Sequence, residues 1–266
     1  MTTRSSDAAL AAVGHLAPIG LAELDARAAL QVRVDTKFIV FPAVLDRLLT
    51  EVGDTMEVLD IEGRRQFGYD STYFDSPTWR TYRDHLQQRR RRFKVRTRTY
   101  VDSSICMFEV KLEGARGTTA KHRTPHPLES AHHLTQGART RLDHILAQES
   151  ITPAGELLAA TTTAYRRVTL TGAHRPFRVT VDAGLVCTSP RGTVRGLDDR
   201  VLVEIKTPTE RDPVLRVLQR LGARPVSVSK YCAGVALLNP ELPRAPWAGT
   251  LRRHFPTAVA TSGPHT

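Results

Sequence analysis

The chain has 266 residues, 41% of them hydrophobic and 24% charged, which is enough apolar material for one large core or two small ones and excludes a disordered chain. A net charge of +11 and an isoelectric point near 10.1 point to an anionic partner: nucleic acid, acidic lipid or a phosphate-rich molecule. Cys106, Cys187 and Cys232 fit neither a disulfide framework nor a zinc motif, and no apolar run reaches the roughly 18 residues of a membrane span, so a cytoplasmic protein without disulfides is expected.

Residues 1–15 are Ser/Ala-rich without periodicity and read as a flexible tail, leaving one domain over 16–239. An amphipathic helix is predicted over 19–30. In "QVRVDTKFIV", Arg33, Asp35 and Lys37 then alternate with Val32, Val34, Thr36 and Phe38, which is the two-residue period of a strand. Helices follow at 42–52 and 77–88, each with a proline in its first turn. "RRRRFKVRTRTY" (89–100) is a basic run whose Lys94, Arg96 and Arg98 would share one strand face, opposite Phe93, Val95 and Thr97. "MFEVKLEG" sets Glu109, Lys111 and Glu113 against Phe108, Val110 and Leu112. The histidines His122, His126, His132, His133 and His144 fall in a Pro-containing, loop-like stretch, and a helix is predicted over 139–148. "AYRRVTL" places Tyr165 and Arg167 on one face, "RVTVD" places Arg178, Thr180 and Asp182, and "VLVEIKT" places Glu204 and Lys206. Helices at 211–222 and 230–238 precede a proline-punctuated segment, 240–266, read as a second flexible tail.

One strand of this kind is an ordinary antiparallel strand with a wet face. Together, these segments put long cations on one face and Val, Ile and Phe on the other. The helices need an apolar surface to lie on, so the predicted fold is α+β: a closed, antiparallel eight-stranded β-barrel whose interior is a polar tunnel, with the helices packed outside. Lined by Lys37, Lys94, Arg96, Arg98, Lys111, Arg167, Arg178 and Lys206, such a tunnel requires an anion, because like charges in a low-dielectric space repel strongly. Guanidinium groups match phosphate oxygens in pairs, so triphosphate or a longer phosphate chain fits. Asp35, Glu109, Glu113, Asp182 and Glu204 are either salt-bridge partners of these cations or ligands for a divalent ion, with Glu204 the leading metal candidate. A phosphate-binding glycine loop, a kinase motif set and a covalent nucleophile with a local signature are all missing, so any catalysis rests on positioning and electrostatics. With only 6% aromatic residues, the chain lacks the stacking platforms of single-strand binders, and nucleic acid is not the expected partner.

The ordered series "RVDTKFIV", "TYFDS", "KVRTR", "FEVKLEG", "KHR", "AYRR", "RVTVD", "VEIKT" and "SVSKYCAG" resembles the vacuolar transporter chaperone (VTC) domain, a polyphosphate polymerase domain of the triphosphate tunnel metalloenzyme (CYTH-like) superfamily. The resemblance implies an eight-stranded tunnel binding Mn2+ or Mg2+ with ATP, triphosphate or polyphosphate, and transfer of the terminal phosphate of ATP onto a growing chain. Carried over motif by motif, it implies phosphate-binding roles for Lys37, Arg96, Arg98, Lys111, Tyr165, Arg167, Arg178 and Lys230, a metal role for Glu204, and a mobile-loop role for Lys121. The first strand reads Arg-x-Asp-x-Lys where the triphosphatase branch has Glu-x-Glu-x-Lys, which favours the polymerase branch. A metal-dependent triphosphatase or polyphosphatase and a non-catalytic polyphosphate-binding module are the alternatives. The accessory helical and membrane parts of the eukaryotic enzyme have no counterpart in the sequence, which leaves room for a separate membrane-protein partner.

Overall fold

The two-residue alternation becomes strand wherever one face finds an apolar cover. The computed structural model describes residues 9–27, 34–113, 119–210 and 212–255. Its strands are β1 (Ala17–Ile19), β2 (Val34–Val40), β3 (Met56–Leu59), β4 (Phe67–Asp75), β5 (Arg92–Tyr100), β6 (Ile105–Glu113), β7 (Thr119–Pro125), β8 (Leu158–Gly172), β9 (Arg178–Ser189), β10 (Gly192–Gly196) and β11 (Val201–Thr207). Its α-helices are α1 (Leu21–Arg27), α2 (Pro42–Val52), α3 (Arg80–Leu86), α4 (Gln136–Gln148), α5 (Pro213–Arg220), α6 (Lys230–Leu238) and α7 (Ala248–His254). The fold is α+β. Eight strands are antiparallel neighbours in the order β2-β11-β9-β8-β4-β5-β6-β7, with β3 added to β8, β10 to β9 and β1 parallel to β3.

Closure differs from the expected barrel. No pairing joins β2 to β7 among the described residues, so the sheet is an open, curled half-barrel. The free edge of β2 is instead occupied by the chain before α6: Val226 donates to the Lys37 carbonyl at 2.8 Å and Phe38 bridges to Pro225. The curl still brings Lys37 close enough to Lys111 of β6 to lower its pKa.

Two apolar clusters cover the convex face. Phe38, Val40, Val168, Val179, Val181, Val203 and Ile205 pack with Leu45, Leu48 and Leu49 of α2 and Val214 and Leu218 of α5. Phe93, Val95, Phe108, Val110 and Leu112 pack under Leu142, Ile145 and Leu146 of α4. The helices start where side chains can accept from exposed backbone N–H groups: Thr135 caps α4, Asp212 caps α5 and Ser229 caps α6.

The ends of the domain move outward from their sequence-based positions. Ala9, Leu10, Val13 and Leu16 are buried in the first cluster, so the ordered chain begins before residue 16, while residues 1–8 lie outside the described residues. Beyond 239, Leu242, Trp247, Leu251 and Phe255 are buried, and only 256–266 of the expected second tail lies outside the description. Residues 28–30 of the first predicted helix, Arg33 of the first predicted strand and Arg211 also lie outside it. The helices predicted at 42–52 and 230–238 appear with those bounds, those at 77–88, 139–148 and 211–222 with shifted ends, and among the described residues no helix is long and apolar enough to cross a membrane.

One helix enters the concave side. α6 is buried almost throughout and packs Tyr231, Cys232 and Val235 with the inward residues Ile39, Tyr73, Tyr165, Cys187 and Leu202. It lies so close to the sheet that a Cβ on Gly234 would meet Cys187 Sγ at 3.1 Å and Thr161 Oγ1 at 3.3 Å. Asp75 fixes it. The buried Asp75 carboxylate accepts from the backbone N–H groups of Ser76, Thr81 and Tyr82, and from the Tyr231 hydroxyl. Replacing Asp75 with Ala strands these donors and should destabilise the protein by about 3 kcal/mol or more, with Tyr231→Phe costing about 1.5–3 kcal/mol, both read from urea unfolding. A loss well under 1 kcal/mol for Asp75→Ala would mean the carboxylate does not hold the plug.

Candidate active site: a cation-lined half-tunnel

The face opposite the two outer clusters carries the charges, and strand register sets them in rows. Lys94 of β5, Lys111 of β6 and Lys121 of β7 are directly opposite one another across three strands. Like charges placed this way destabilise a sheet unless something neutralises them. Burial lowers the Lys111 pKa, as do Lys94 and Lys37, and Glu113 and Glu204 only partly oppose this. One row further on, Arg96, Glu109 and Arg123 face each other.

Fixed carboxylates sit inside this array. Glu109 accepts from Arg96 Nε at 2.7 Å and lies 2.6 Å from Lys121 Nζ; burial alone would raise its pKa, but Arg96, Arg98 and Lys121 drive it far below the usual carboxylate range. Asp182 accepts two parallel bonds from Arg167, at 2.6 and 2.8 Å, and a third from Lys230, and despite burial it too stays ionised well below its ordinary value. Glu113 lies 2.5 Å from Arg92, 3.1 Å from Lys94 and 3.7 Å from Lys111; burial raises its pKa, but Lys94, His85 and Lys111 outweigh this and hold it at about 2. Glu204 stands opposite Lys37 in register and is bonded by Lys206, which also reaches Asp35 at 3.4 Å. Burial raises the Glu204 pKa, but Lys206, Lys37 and Arg167 push it further down.

Tyrosines hold the arginines between these anchors. Tyr69 stacks on Tyr165 with centroids 5.4 Å apart, and Arg98 and Arg167 lie over the Tyr69 ring at 5.3 and 5.1 Å. Among the described residues Arg98 donates only to neutral hydroxyls, Ser71 at 3.2 Å and Tyr165 at 3.1 Å, with no carboxylate bonded to it. Arg96 also donates to the Tyr73 hydroxyl at 2.8 Å. Such a surface can bind a multiply charged oxyanion along its length: oriented guanidinium forks, ammonium groups and hydroxyls converge on a concavity that α6 closes from one side.

The sequence profile of the VTC domain matches residues 32–239. The chain belongs to the VTC domain family. No curated protein matches the VTC chain by sequence. Among solved structures it is similar to a candidate adenylate cyclase of Bacillus halodurans, with 15% identity over 74% of this chain and 94% of that one and a TM-score of 0.48. It is also similar to a candidate adenylyl cyclase of Hippeastrum, described as having a dominant triphosphatase activity, with 12% identity over 80% and 98% of the two chains and a TM-score of 0.46. A Vibrio parahaemolyticus candidate adenylate cyclase gives 16% identity, 75% and 95% coverage and a TM-score of 0.41.

The residues singled out in the VTC sequence gather on the concave side with three qualifications. Lys121 lies in β7 and contacts Glu109, so it belongs to a regular strand rather than a mobile loop. Arg178 lies opposite Lys206 but its guanidinium reaches Asp25 of α1 at 2.9 Å. Among the described residues no group of three His, Cys, Asp or Glu forms a metal cage, and the carboxylate that shares Lys206 with Glu204 is Asp35. Sequence reading missed Tyr69, Ser71 and Tyr73, which alternate in "FGYDSTYFD" but carry no charge to mark their face, and His85, whose Nδ1 lies 3.1 Å from Arg92 Nε and 3.2 Å from Lys94 Nζ and whose helical position gave no signal.

Because these carboxylates titrate lower in the fold than in the unfolded chain, the stability they contribute is complete above the ordinary glutamate value of 4.5 and is lost as pH falls. The VTC protein should therefore hold a constant melting temperature down to about pH 4.5 and lose it steeply toward pH 2. Glu113→Gln should flatten part of that fall; an unchanged profile would remove Glu113 from the network.

Proposed function

We propose that this VTC domain is a metal-dependent polyphosphate polymerase that transfers the γ-phosphate of ATP to the end of an inorganic polyphosphate chain. The single observation that carries this reading is the directly opposed lysine row Lys94, Lys111 and Lys121, beside Arg96 and Arg98: a protein keeps so many facing cations only where a polyanion is to neutralise them. Phosphoryl transfer suits such a site, because its loose transition state spreads charge over the phosphoryl oxygens and asks the protein for positioning and charge rather than covalent chemistry.

In this mechanism Arg96, Arg98, Lys111 and Arg178 hold the transferred γ-phosphoryl group. Lys37, Lys94, Lys121, Arg167, Lys206 and Lys230, with the Tyr165 hydroxyl, bind the remaining phosphates. A terminal oxygen of the polymer attacks phosphorus in line, the bond from the γ-phosphorus to the bridging oxygen breaks, and ADP leaves with that electron pair. Arg178 turns from Asp25 to the phosphate, and Lys206 turns from Glu204. The Glu204 carboxylate, half-buried and kept ionised by Lys206 and Lys37, would hold Mn2+ or Mg2+, and the ion would neutralise charge on the phosphates.

ATP and Mn2+ incubated with the purified protein should yield long phosphate polymer. Free phosphate without polymer would convert the reading to a triphosphatase on the same scaffold, and binding without turnover to a non-catalytic module. Glu204→Gln should lower turnover by about 100-fold or more with the fold retained by circular dichroism, and unchanged turnover would release Glu204 from the metal role.

Lys121 supplies a pH test. Burial lowers its pKa, Glu109 opposes this and Arg96 adds to it, with the result at about 8. Below that value the ammonium is present and attracts phosphate; above it the charge is lost. The tripolyphosphate affinity advantage of the wild type over Lys121→Gln, measured by titration calorimetry, should therefore shrink as pH rises through 8 and beyond, and a ratio independent of pH would place Lys121 away from the anion.

A further inference from the structure

The geometry points to a second anion-binding site outside the half-tunnel, formed by Arg80, Arg89, Arg90 and Arg91, which takes the part of a condensed phosphate chain that extends beyond the rear of the tunnel. The assignment of condensed phosphate as the ligand rests on the tunnel reading.

Three observations meet here. The arginine run that opens "RRRRFKVRTRTY" is not used by the tunnel: Arg89, Arg90 and Arg91 precede β5 and are exposed. They line a cleft of about 840 Å3 together with Arg80 of α3. Charge in this cleft is incompletely answered. Among the described residues, Asp84 serves both Arg80 and Arg89 at 3.0 Å, Arg91 donates only to the Ser150 carbonyl at 3.0 Å, no hydrogen bond or ion pair engages Arg90, and Glu149, which also lines the cleft, pairs with none of the four.

The cleft also meets the half-tunnel at the Glu113 carboxylate. It wraps the end of the β6–β7 pair, touching outward-facing Leu112 and Ala120 and inward-facing Glu113 and Thr119. Glu113 is the same carboxylate that contacts Arg92, Lys94 and Lys111 inside. Moreover, the apolar plug around α6 gathers inward residues from β2, β4, β8, β9 and β11 and none from β5, β6 or β7. The rear is therefore sealed by hydrocarbon over five strands and left polar over the three that lead to the arginines. A phosphate chain passing Lys111 and Lys94 replaces the Glu113 carboxylate at those ammonium groups and meets Arg89, Arg90 and Arg91 next. Exposed guanidinium forks on a shallow cleft fit the non-bridging oxygens of such a chain, whereas the short ligand of the tunnel never reaches them.

The test uses the full chain carrying Arg90→Gln and Arg91→Gln, two exposed positions outside the reacting centre, with a melting curve as the folding control. Long-chain polyphosphate, followed by fluorescence anisotropy, should bind the variant about tenfold more weakly, one modest exposed ionic contact per arginine, and with a salt slope lower by about two. Tripolyphosphate binding should be unchanged. Unaltered long-chain affinity would overturn the proposal, as would single-stranded RNA that binds the wild type as tightly as polyphosphate and loses affinity equally in the variant. If the wild type ignores tripolyphosphate, the tunnel reading fails instead; long-chain binding that still depends on Arg90 and Arg91 would then uphold the outer site alone.

Discussion

Repulsion among cations crowded onto one concave face is the constraint that the rest of the molecule answers. A sheet does not place Lys94, Lys111 and Lys121 side by side for stability, since facing like charges cost energy and partial burial makes them cost more. The opposing contribution comes from the other side of the same strands. Residues one position away, Val95, Val110, Val179, Val203 and Ile205 among them, are almost wholly buried under α2, α4 and α5. Because side chains alternate, the apolar face that stabilises the fold and the cationic face that would bind its ligand are fixed by one register. A one-residue slip would lose both.

That coupling explains how much was legible in the sequence. The period-two segments are visible because a charged residue next to a Val or Phe cannot be mistaken for a buried strand, and Lys37, Arg96, Lys111, Arg167 and Glu204 all emerge on the predicted face. β4 hid its role. In "FGYDSTYFD" the inward members are Tyr69, Ser71 and Tyr73, which carry no charge, so nothing separated a face that orients Arg96 and Arg98 from an ordinary core face. Closure was misread because alternation fixes the faces of strands and says nothing of their edges; Val226 satisfies the β2 edge from a segment with no strand pattern. The terminal segments were misread for a similar reason. Leu10 and Val13 sit in an alanine-rich stretch without a periodic pattern and Trp247 and Phe255 among prolines and arginines, and only the tertiary fold shows the grooves they fill.

The plug gives the domain a polarity of ends. α6 carries the highest density of buried residues of any helix here, and it is held by Asp75 at its Tyr231 and by the sheet at Gly234. Its first residue, Lys230, is the part that remains polar, lying over Tyr165 at 4.3 Å and bonded to Asp182. A structural helix thus delivers one cation to the site, and its position is set by contacts remote from any phosphate.

Exposure separates the carboxylates of the site into two kinds. Glu109 and Asp182 have side chains only 2% and 1% exposed and each meets two or more cations, so removing water from them has already been compensated and exchanging them for a phosphate would leave a buried charge bare. Glu113, Glu204 and Asp35 are 18%, 17% and 32% exposed, and solvent can take up each carboxylate when its lysine turns away. The first kind are permanent struts that keep Arg96, Arg167 and Lys230 pointing inward whether or not an anion is present. The second kind are counter-ions that, on the proposed function, a phosphate would replace. They stand beside Lys37, Lys94, Lys111 and Lys206, which are ammonium groups on flexible stems, although Glu113 also holds Arg92, whereas the struts hold mainly planar guanidinium groups whose geometry must be kept. The site is therefore preorganised where direction matters and exchangeable where only charge does, which is the division that a chain of identical phosphates, moving one unit at a time past fixed arginines, would require.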